Sequence, residues 1–335
     1  MRKPSCQQKR AEVLTAKLRE EILAPVAHRH AVFTIPRALR GLFLRERRLL
    51  GLLPRCAAET LLRCWRAALD RRDGRPGVVA SIQTFGGQAN WHPHVHALVT
   101  DGLLRPGGRF VPLRVDGEEF ERLLTETFRR LVLRALHAEQ RLSRRFLDRL
   151  LTWRHGGGFS VYARHLILDE EPARLAHTAR YLVRPPVAAG RVRASADGRV
   201  LLRIPPDPRT GATTIELEPL EWLRRLTNQV PDPRRHLVRY YGAYANRSRG
   251  LYRDGHRAVA AGEEADADTP CPPSRASWAR MLRRVFEIEL LCPRCGTELA
   301  VISFVTEPAT IDRILTHMSE AGFEPLFDAR APPAA

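Results

Sequence analysis

No stretch of the 335 residues approaches the ~20 uncharged apolar residues that a membrane helix requires, and the first residues lead into a charged helix rather than an apolar secretory core. The expectation is a soluble cytoplasmic protein with no membrane partner. Cysteine is scarce and irregularly placed, at Cys6, Cys56, Cys64, Cys271, Cys292 and Cys295. That spacing excludes a disulfide framework and implies reduced thiols. Only Cys292 and Cys295 have the spacing of a metal knuckle. Internal repeats are absent. Lysine is nearly absent too: of 55 basic residues only Lys3, Lys9 and Lys17 are lysine.

What remains is arginine in large excess. The formal net charge is +18, with a sequence pI near 10.8. Codon bias in a GC-rich genome accounts for arginine in place of lysine, but not for the net excess. The planar guanidinium suits phosphate oxygens, so a polyanionic partner follows, and nucleic acid is the natural one. A hydrophobic fraction of 44% excludes a wholly disordered chain and leaves room for one large core or two domains.

The pattern predicts a helix over 7–23, a strand over 30–35 ended by Pro36, and helices over 42–52 and 55–70. A turn at 73–77 leads into a strand over 78–85, broken by Gly86-Gly87. Apolar residues at helical spacing (Phe120, Leu123, Leu124, Phe128, Leu131, Ala135) predict one helix over 118–153, stopped by Gly156-Gly157-Gly158. Then come a strand over 159–168, a helix from Pro172 to the Pro185-Pro186 pair, a hairpin over 191–204, a strand over 213–217 and a helix over 219–228. Residues 254–273 read as a linker, and 277–318 as a small module around Cys292-x-x-Cys295.

The most informative stretch is Trp91-His92-Pro93-His94-Val95-His96-Ala97-Leu98-Val99-Thr100-Asp101-Gly102. In a strand His94 and His96 share a face, about 7 Å apart along the chain, and two parallel imidazoles make half a metal site. The competing reading is a set of core histidines satisfied by hydrogen bonds. On a helix over 173–184, Leu175, Ala176, Ala179, Leu182 and Val183 form an apolar stripe that leaves Tyr181 outside, flanked by Arg174, His177 and Thr178. Tyr181 is then placed for polar work, or is a boundary tyrosine with its hydroxyl in water.

Gln83-Thr84-Phe85-Gly86, the histidine strand, Ala179-Arg180-Tyr181-Leu182-Val183-Arg184-Pro185-Pro186, His236-Leu237-Val238-Arg239-Tyr240-Tyr241-Gly242 and the 284–296 run ending in Cys292-Pro293-Arg294-Cys295-Gly296 together resemble the HUH-type rolling-circle transposases of the IS-91 family, in that family's order and over nearly the whole chain. The resemblance implies an α+β fold: an antiparallel, sheet-centred HUH nuclease domain with flanking helices, plus the small C-terminal Cys-x-x-Cys module. It implies an insertion-sequence transposase that cleaves and rejoins single-stranded DNA, at transposon ends and target, through a covalent 5′-phosphotyrosine. The family's nucleophile carries over to Tyr181 and its paired histidines to His94 and His96, with Mg or Mn as cofactor. For a third ligand Gln83 on the preceding strand is favoured, with His92 and Gln88 as alternatives. Arg174, His177, Arg180 and Arg184 are the expected DNA contacts.

The chain also departs from that pattern. Relatives with two catalytic tyrosines place the second four residues after the first, where this chain has Pro185, so a single nucleophile is expected. Tyr240 and Tyr241, being adjacent, cannot share a face and read as packing or DNA-contact residues. Pro4-Ser5-Cys6-Gln7-Gln8-Lys9-Arg10 looks like only the tail of the zinc segment found in many relatives, which implies an N-terminally short member. Cys292 and Cys295 are candidate zinc ligands, to be completed by Cys271, His256 or His317. The expected domains are an N-terminal helical DNA-binding region with that zinc remnant (1–75), the nuclease (76–253), a linker (254–275), the C-terminal module (276–322) and a tail (323–335). Homo-oligomerisation is a further expectation, and an inactive DNA-binding remnant is the alternative function.

Overall fold

The computed structural model describes residues 6–115, 117–152, 156–208, 210–252 and 307–320. Two units are distinguished, one formed by Lys17–Ala265 and the other by Met1–Ala16 with Asp266–Ala335. In the second unit the described residues are helical, in α1 (Cys6–Lys17), whose last residue enters the first unit, and in a C-terminal helix (Pro308–Glu320) that carries His317. Cys271, Cys292, Cys295, His256, the expected linker and most of the expected module lie outside the described residues. None of the described helices is long and apolar enough to cross a membrane.

The larger unit is α+β. It is built on a five-stranded sheet of β1 (His28–Thr34), β2 (Gly77–Phe85), β3 (Trp91–Thr100), β6 (Ser160–Ile167) and β10 (Val238–Gly242), in the order β10-β2-β3-β1-β6. Every pairing is antiparallel. The β4–β5 hairpin (Gly102–Leu104 with Phe110–Pro112) follows β3. Strands β7 (Val192–Ala194), β8 (Val200–Arg203) and β9 (Thr214–Leu217) form a separate small sheet.

Alternation decides the faces. Ala31 and Phe33 of β1, Val78 and Ala80 of β2, and Val95, Ala97 and Val99 of β3 are buried in one apolar core. Against them pack α2 (Arg37–Arg45), α3 (Leu52–Ala68), α4 (Glu118–Ala138) and α5 (Arg144–Leu151). Fully buried Trp65 donates its indole N–H to the Thr100 carbonyl at 3.0 Å, and Phe33 meets Phe128 edge to face at 5.0 Å. Fully burying a side chain of this size contributes about 2–3 kcal/mol, so the core face holds the sheet. The other face carries the histidines. Strand β6 is an edge, and α4 satisfies two of its amides: Val161 N donates to Thr125 Oγ1 and Ala163 N to Glu121. An edge so covered does not recruit another strand.

Several expectations are corrected. The predicted helix over 118–153 is two helices, because Gln140 takes a positive φ of 58° and Ser143 caps a new start by accepting from Phe146 N. The helix predicted over 42–52 begins instead at Arg37, directly after Pro36, and gives way to a 3-10 turn at Arg47–Gly51. Strand β1 lies inside the sheet between β3 and β6, so residues 28–34 share a sheet with the histidine strand. Local pattern cannot show that β1 pairs with β3 across the 56 residues between them.

Candidate active site

Cross-strand register builds the polar face. Opposite His96 stand Ser81 of β2 and Val32 of β1, and opposite His94 stand Gln83 and Thr34. His94 and His96 are both buried, with ring centroids 4.8 Å apart and Nε2 atoms 3.0 Å apart. His94 Nδ1 lies 2.7 Å from the carbonyl oxygen of His92; that oxygen only accepts, so His94 donates through Nδ1 and turns an Nε2 lone pair toward His96.

Burial pushes the His96 pKa down to about 2, helped by neighbouring His94, His30 and Arg184, and burial likewise lowers His94. Both imidazoles are therefore neutral near pH 7, the form a metal ion requires. Among the described residues no third His, Cys, Asp or Glu joins them in a group able to cage an ion. Any further ligand would be an amide oxygen, water or substrate.

His92 does not share the pair's geometry. Parity along a regular strand predicts that it would, but β3 contains an irregularity here: Gln83 pairs with His94 while Phe85 pairs with Trp91, so His92 and Pro93 stand opposite the single residue Thr84. The extra residue breaks the alternation, and His92 Nε2 meets Arg40 NH2 of α2 at 3.0 Å. Its carbonyl accepts from His94, and its ring lies with its centroid 5.2 Å from that of His94.

The tyrosine arrives on α6 (Pro172–Leu182). Proline opens the helix, where its missing N–H costs nothing, and Ala176, Ala179 and Leu182 are buried as the apolar stripe required. Thr178, expected beside Tyr181 on the polar flank, is buried as well, whereas Arg174, His177 and Arg180 are exposed. A helix leaves its last carbonyls without internal partners. Here the strand supplies donors: Ser81 Oγ donates to the Leu182 carbonyl at 2.5 Å and Gln83 Nε2 to the Tyr181 carbonyl at 2.9 Å. Gln83 thus pins the tyrosine's own turn to the histidine face, while its Oε1 accepts from Arg184 Nε at 3.3 Å. Gln88, the other alternative, is turned toward Asp207 at 3.4 Å.

The Tyr181 ring stands edge-on to His96, with centroids 5.2 Å apart. Arg184, just beyond the helix, lays its guanidinium 4.0 Å from the Tyr181 ring centre. Arg174 is held by Glu171 and reaches toward His165 of β6 at 3.4 Å. Tyr240 and Tyr241 fall on opposite faces of β10, and Tyr241 packs on the apolar core.

His30 is a site residue that local pattern does not single out. It projects from β1 onto the same face, 3.1 Å from His96 Nδ1 through its Nε2, with the two rings near-parallel and their centroids 5.2 Å apart. The one signal for it is alternation with Val32 and Thr34, and nothing local ties that strand to β3.

Paired neutral imidazoles beside a helix-borne tyrosine and an arginine, on a sheet buried from behind, define a candidate phosphoryl-transfer centre for a polyanionic substrate. Comparison with known proteins then gives the family: residues 77–250, just over half of the chain, match the family Y2_Tnp, described as "Putative transposase", and the chain belongs to it. It is 29% identical over 291 residues to the transposase for insertion sequence element IS801 of Pseudomonas savastanoi pv. phaseolicola, covering 83% of this chain and 68% of that protein. It is 31% identical over 272 residues to the putative transposase y4qJ of Sinorhizobium fredii, covering 73% of this chain and 65% of the relative. The family relationship expected from the motifs is borne out. No solved structure matches the chain.

Proposed function

We propose that the protein is a transposase of the HUH type that cuts and rejoins single-stranded DNA, with Tyr181 as its one nucleophile. The observation that carries this reading is the docking of the tyrosine's turn, by Ser81 and Gln83, onto the strand face that bears His94 and His96, which leaves the ring 5.2 Å from His96. A nucleophile held this way loses little freedom on reaching its target, and positioning of this kind supplies much of a phosphoryl-transfer barrier.

The donor set fits a divalent ion: two neutral imidazoles offer Nε2 atoms 3.0 Å apart, with the Nδ1 of His94 already committed to a carbonyl. Bound there, Mg or Mn would draw charge from the phosphate oxygens and stabilise what develops on them. Gln83 Oε1 has a lone pair beyond the one given to Arg184 and is the favoured further ligand. The role left to His92 is to orient His94 through its carbonyl.

In the chemistry, the Tyr181 oxygen attacks phosphorus, the P–O3′ bond breaks, and the phenol's proton balances the departing 3′-OH. The strand remains joined to the protein as a 5′-phosphotyrosine. A second 3′-OH reverses the step and releases the tyrosine, so joining needs no external energy source. Arg184 is placed to hold the phosphate against Tyr181, with Arg174, His177 and Arg180 following the strand outward.

Incubation with single-stranded oligonucleotides and Mn or Mg, then a denaturing gel and peptide mapping, tests the proposal. The expected result is a covalent adduct at Tyr181 that disappears in Tyr181→Phe and in His94→Ala or His96→Ala. An adduct that persists in Tyr181→Phe overturns the nucleophile, and binding without any adduct identifies a DNA-binding remnant.

A further inference from the structure

We infer that His30 is a positioning residue for His96: when an ion occupies the site, His30 Nε2 accepts the Nδ1 proton of His96 and so fixes the tautomer that offers the His96 Nε2 lone pair beside that of His94. The inference rests on the reading of His94 and His96 as metal ligands and adds the group that makes the second of them competent.

The two ligand candidates are oriented by different devices. His94 needs no side chain for this, because its Nδ1 donates to the His92 carbonyl 2.7 Å away. His96 sits in the middle of β3, where the strand carbonyls are taken up by pairing with β1 and β2. Its Nδ1 meets His30 Nε2 at 3.1 Å instead. A neutral imidazole carries one proton, so His96 can offer Nε2 to an ion only if that proton is on Nδ1. An acceptor at His30 favours this state, and the near-parallel rings, inclined by 14°, hold its orientation.

His30 is not itself a third ligand. It approaches the nitrogen of His96 that faces away from His94, so it lies behind the ligand pair rather than on the side where the two Nε2 atoms meet. The absence of any three-residue His, Cys, Asp or Glu cage among the described residues agrees with this. Placement is set by register: His30 pairs with Leu98, one same-face step from His96, which makes it a diagonal neighbour within reach of a long side chain.

Two measurements on the full chain test the inference. In 15N-histidine-labelled wild-type protein loaded with Mg, His96 should carry its proton on Nδ1 and none on Nε2; the opposite tautomer overturns the proposal without any mutation. Calorimetric titration with Mn should show His30→Phe, which lacks an acceptor, weakened by about 10–100-fold, the usual cost of losing a partner that orients a ligand. His30→Asn and His30→Gln, whose amide oxygens can accept, should recover most of that loss, while a merely space-filling role would favour phenylalanine. Equal affinity of His30→Phe and wild type, or amide variants as weak as phenylalanine, overturns the inference. His94→Ala and His96→Ala separate the two levels: if Mn binding does not depend on them the metal reading falls and this inference with it, whereas if it does and His30→Phe is neutral, only this inference falls.

Discussion

Arg29 and Asp101 are ionised side chains of the kind a protein interior rarely admits unpaired, and their removal gives the sharpest test of how the sheet is held. Arg29 Nε lies 2.8 Å from Asp101 Oδ1, with the two side chains only 6% and 8% exposed. Arg29 also donates to the Ala163 carbonyl at 2.9 Å, so one guanidinium ties β1 to β6 and to the end of β3, the strands that carry His30, His165 and His96. Asp101→Asn would keep the shape and strand a buried positive charge. Breaking one partner of a buried pair costs about 3–5 kcal/mol, a large share of a total stability of about 5–15 kcal/mol. The control is Asp148→Asn: Arg144 and Asp148 pair at 3.0 Å across one helical turn but are 77% and 52% exposed, and such pairs contribute about 0.5 kcal/mol or less. Urea unfolding followed by circular dichroism should separate the two variants by several-fold in lost stability. The double variant Arg29→Met with Asp101→Leu should lose less than Asp101→Asn alone, since no orphaned charge remains. Equal, small losses for Asp101→Asn and Asp148→Asn would refute the argument that desolvated charge governs this junction.

Burial holds the His28 pKa down to about 4 from an ordinary value near 6.5, with Nε2 2.7 Å from the Tyr244 hydroxyl. The unfolded chain therefore binds the proton first: this contribution is complete above about pH 6.5, falls as pH drops, and is lost by about pH 4, for a total of about 3 kcal/mol. Between pH 7.5 and 5 the wild type should lose about 2 kcal/mol by this route that His28→Gln keeps, and parallel pH profiles for the two would count against it. At Gly242 φ is +59° and an added Cβ would lie 1.9 Å from the Pro76 carbonyl oxygen, so Gly242→Ala should cost about 2 kcal/mol or more; an unchanged unfolding midpoint would contradict this. Ser81→Ala removes a donor to the last turn of α6 and should slow adduct formation more than it weakens DNA binding, measured by single-turnover assay and fluorescence anisotropy. With a net charge of +18, affinity for a single strand should fall by ~0.7 log unit per tenfold rise in salt for each phosphate contacted, and a flat response would remove the electrostatic argument.

Much of the site is legible in the residues alone. Alternation in 91–100 puts His94 and His96 on one face, and helical spacing in 173–184 keeps Tyr181 off the packing stripe; both placements follow from backbone periods of 2 and 3.6 that hold wherever an element is regular. Local pattern misleads where regularity fails or distance intervenes. Parity does not foresee the extra residue at His92-Pro93, which breaks the alternation there. Helical spacing puts Thr178 on the polar flank because it takes no account of what the helix meets on the sheet. Gln83 reads as a ligand from its strand alone, yet its hydrogen bond to the Tyr181 carbonyl depends on a helix 98 residues away.

The sequence by itself determined most of the elements around the site, the charge, the shared face of the paired imidazoles and the family, because each is written in local spacing or in motif order. Only the tertiary structure decided that β1 inserts between β3 and β6, that His30 thereby reaches His96, and that α6 ends against Ser81 and Gln83. The reason is physical: periodicity states which side of an element is apolar, whereas the identity of its neighbour is settled by the burial of all such sides at once.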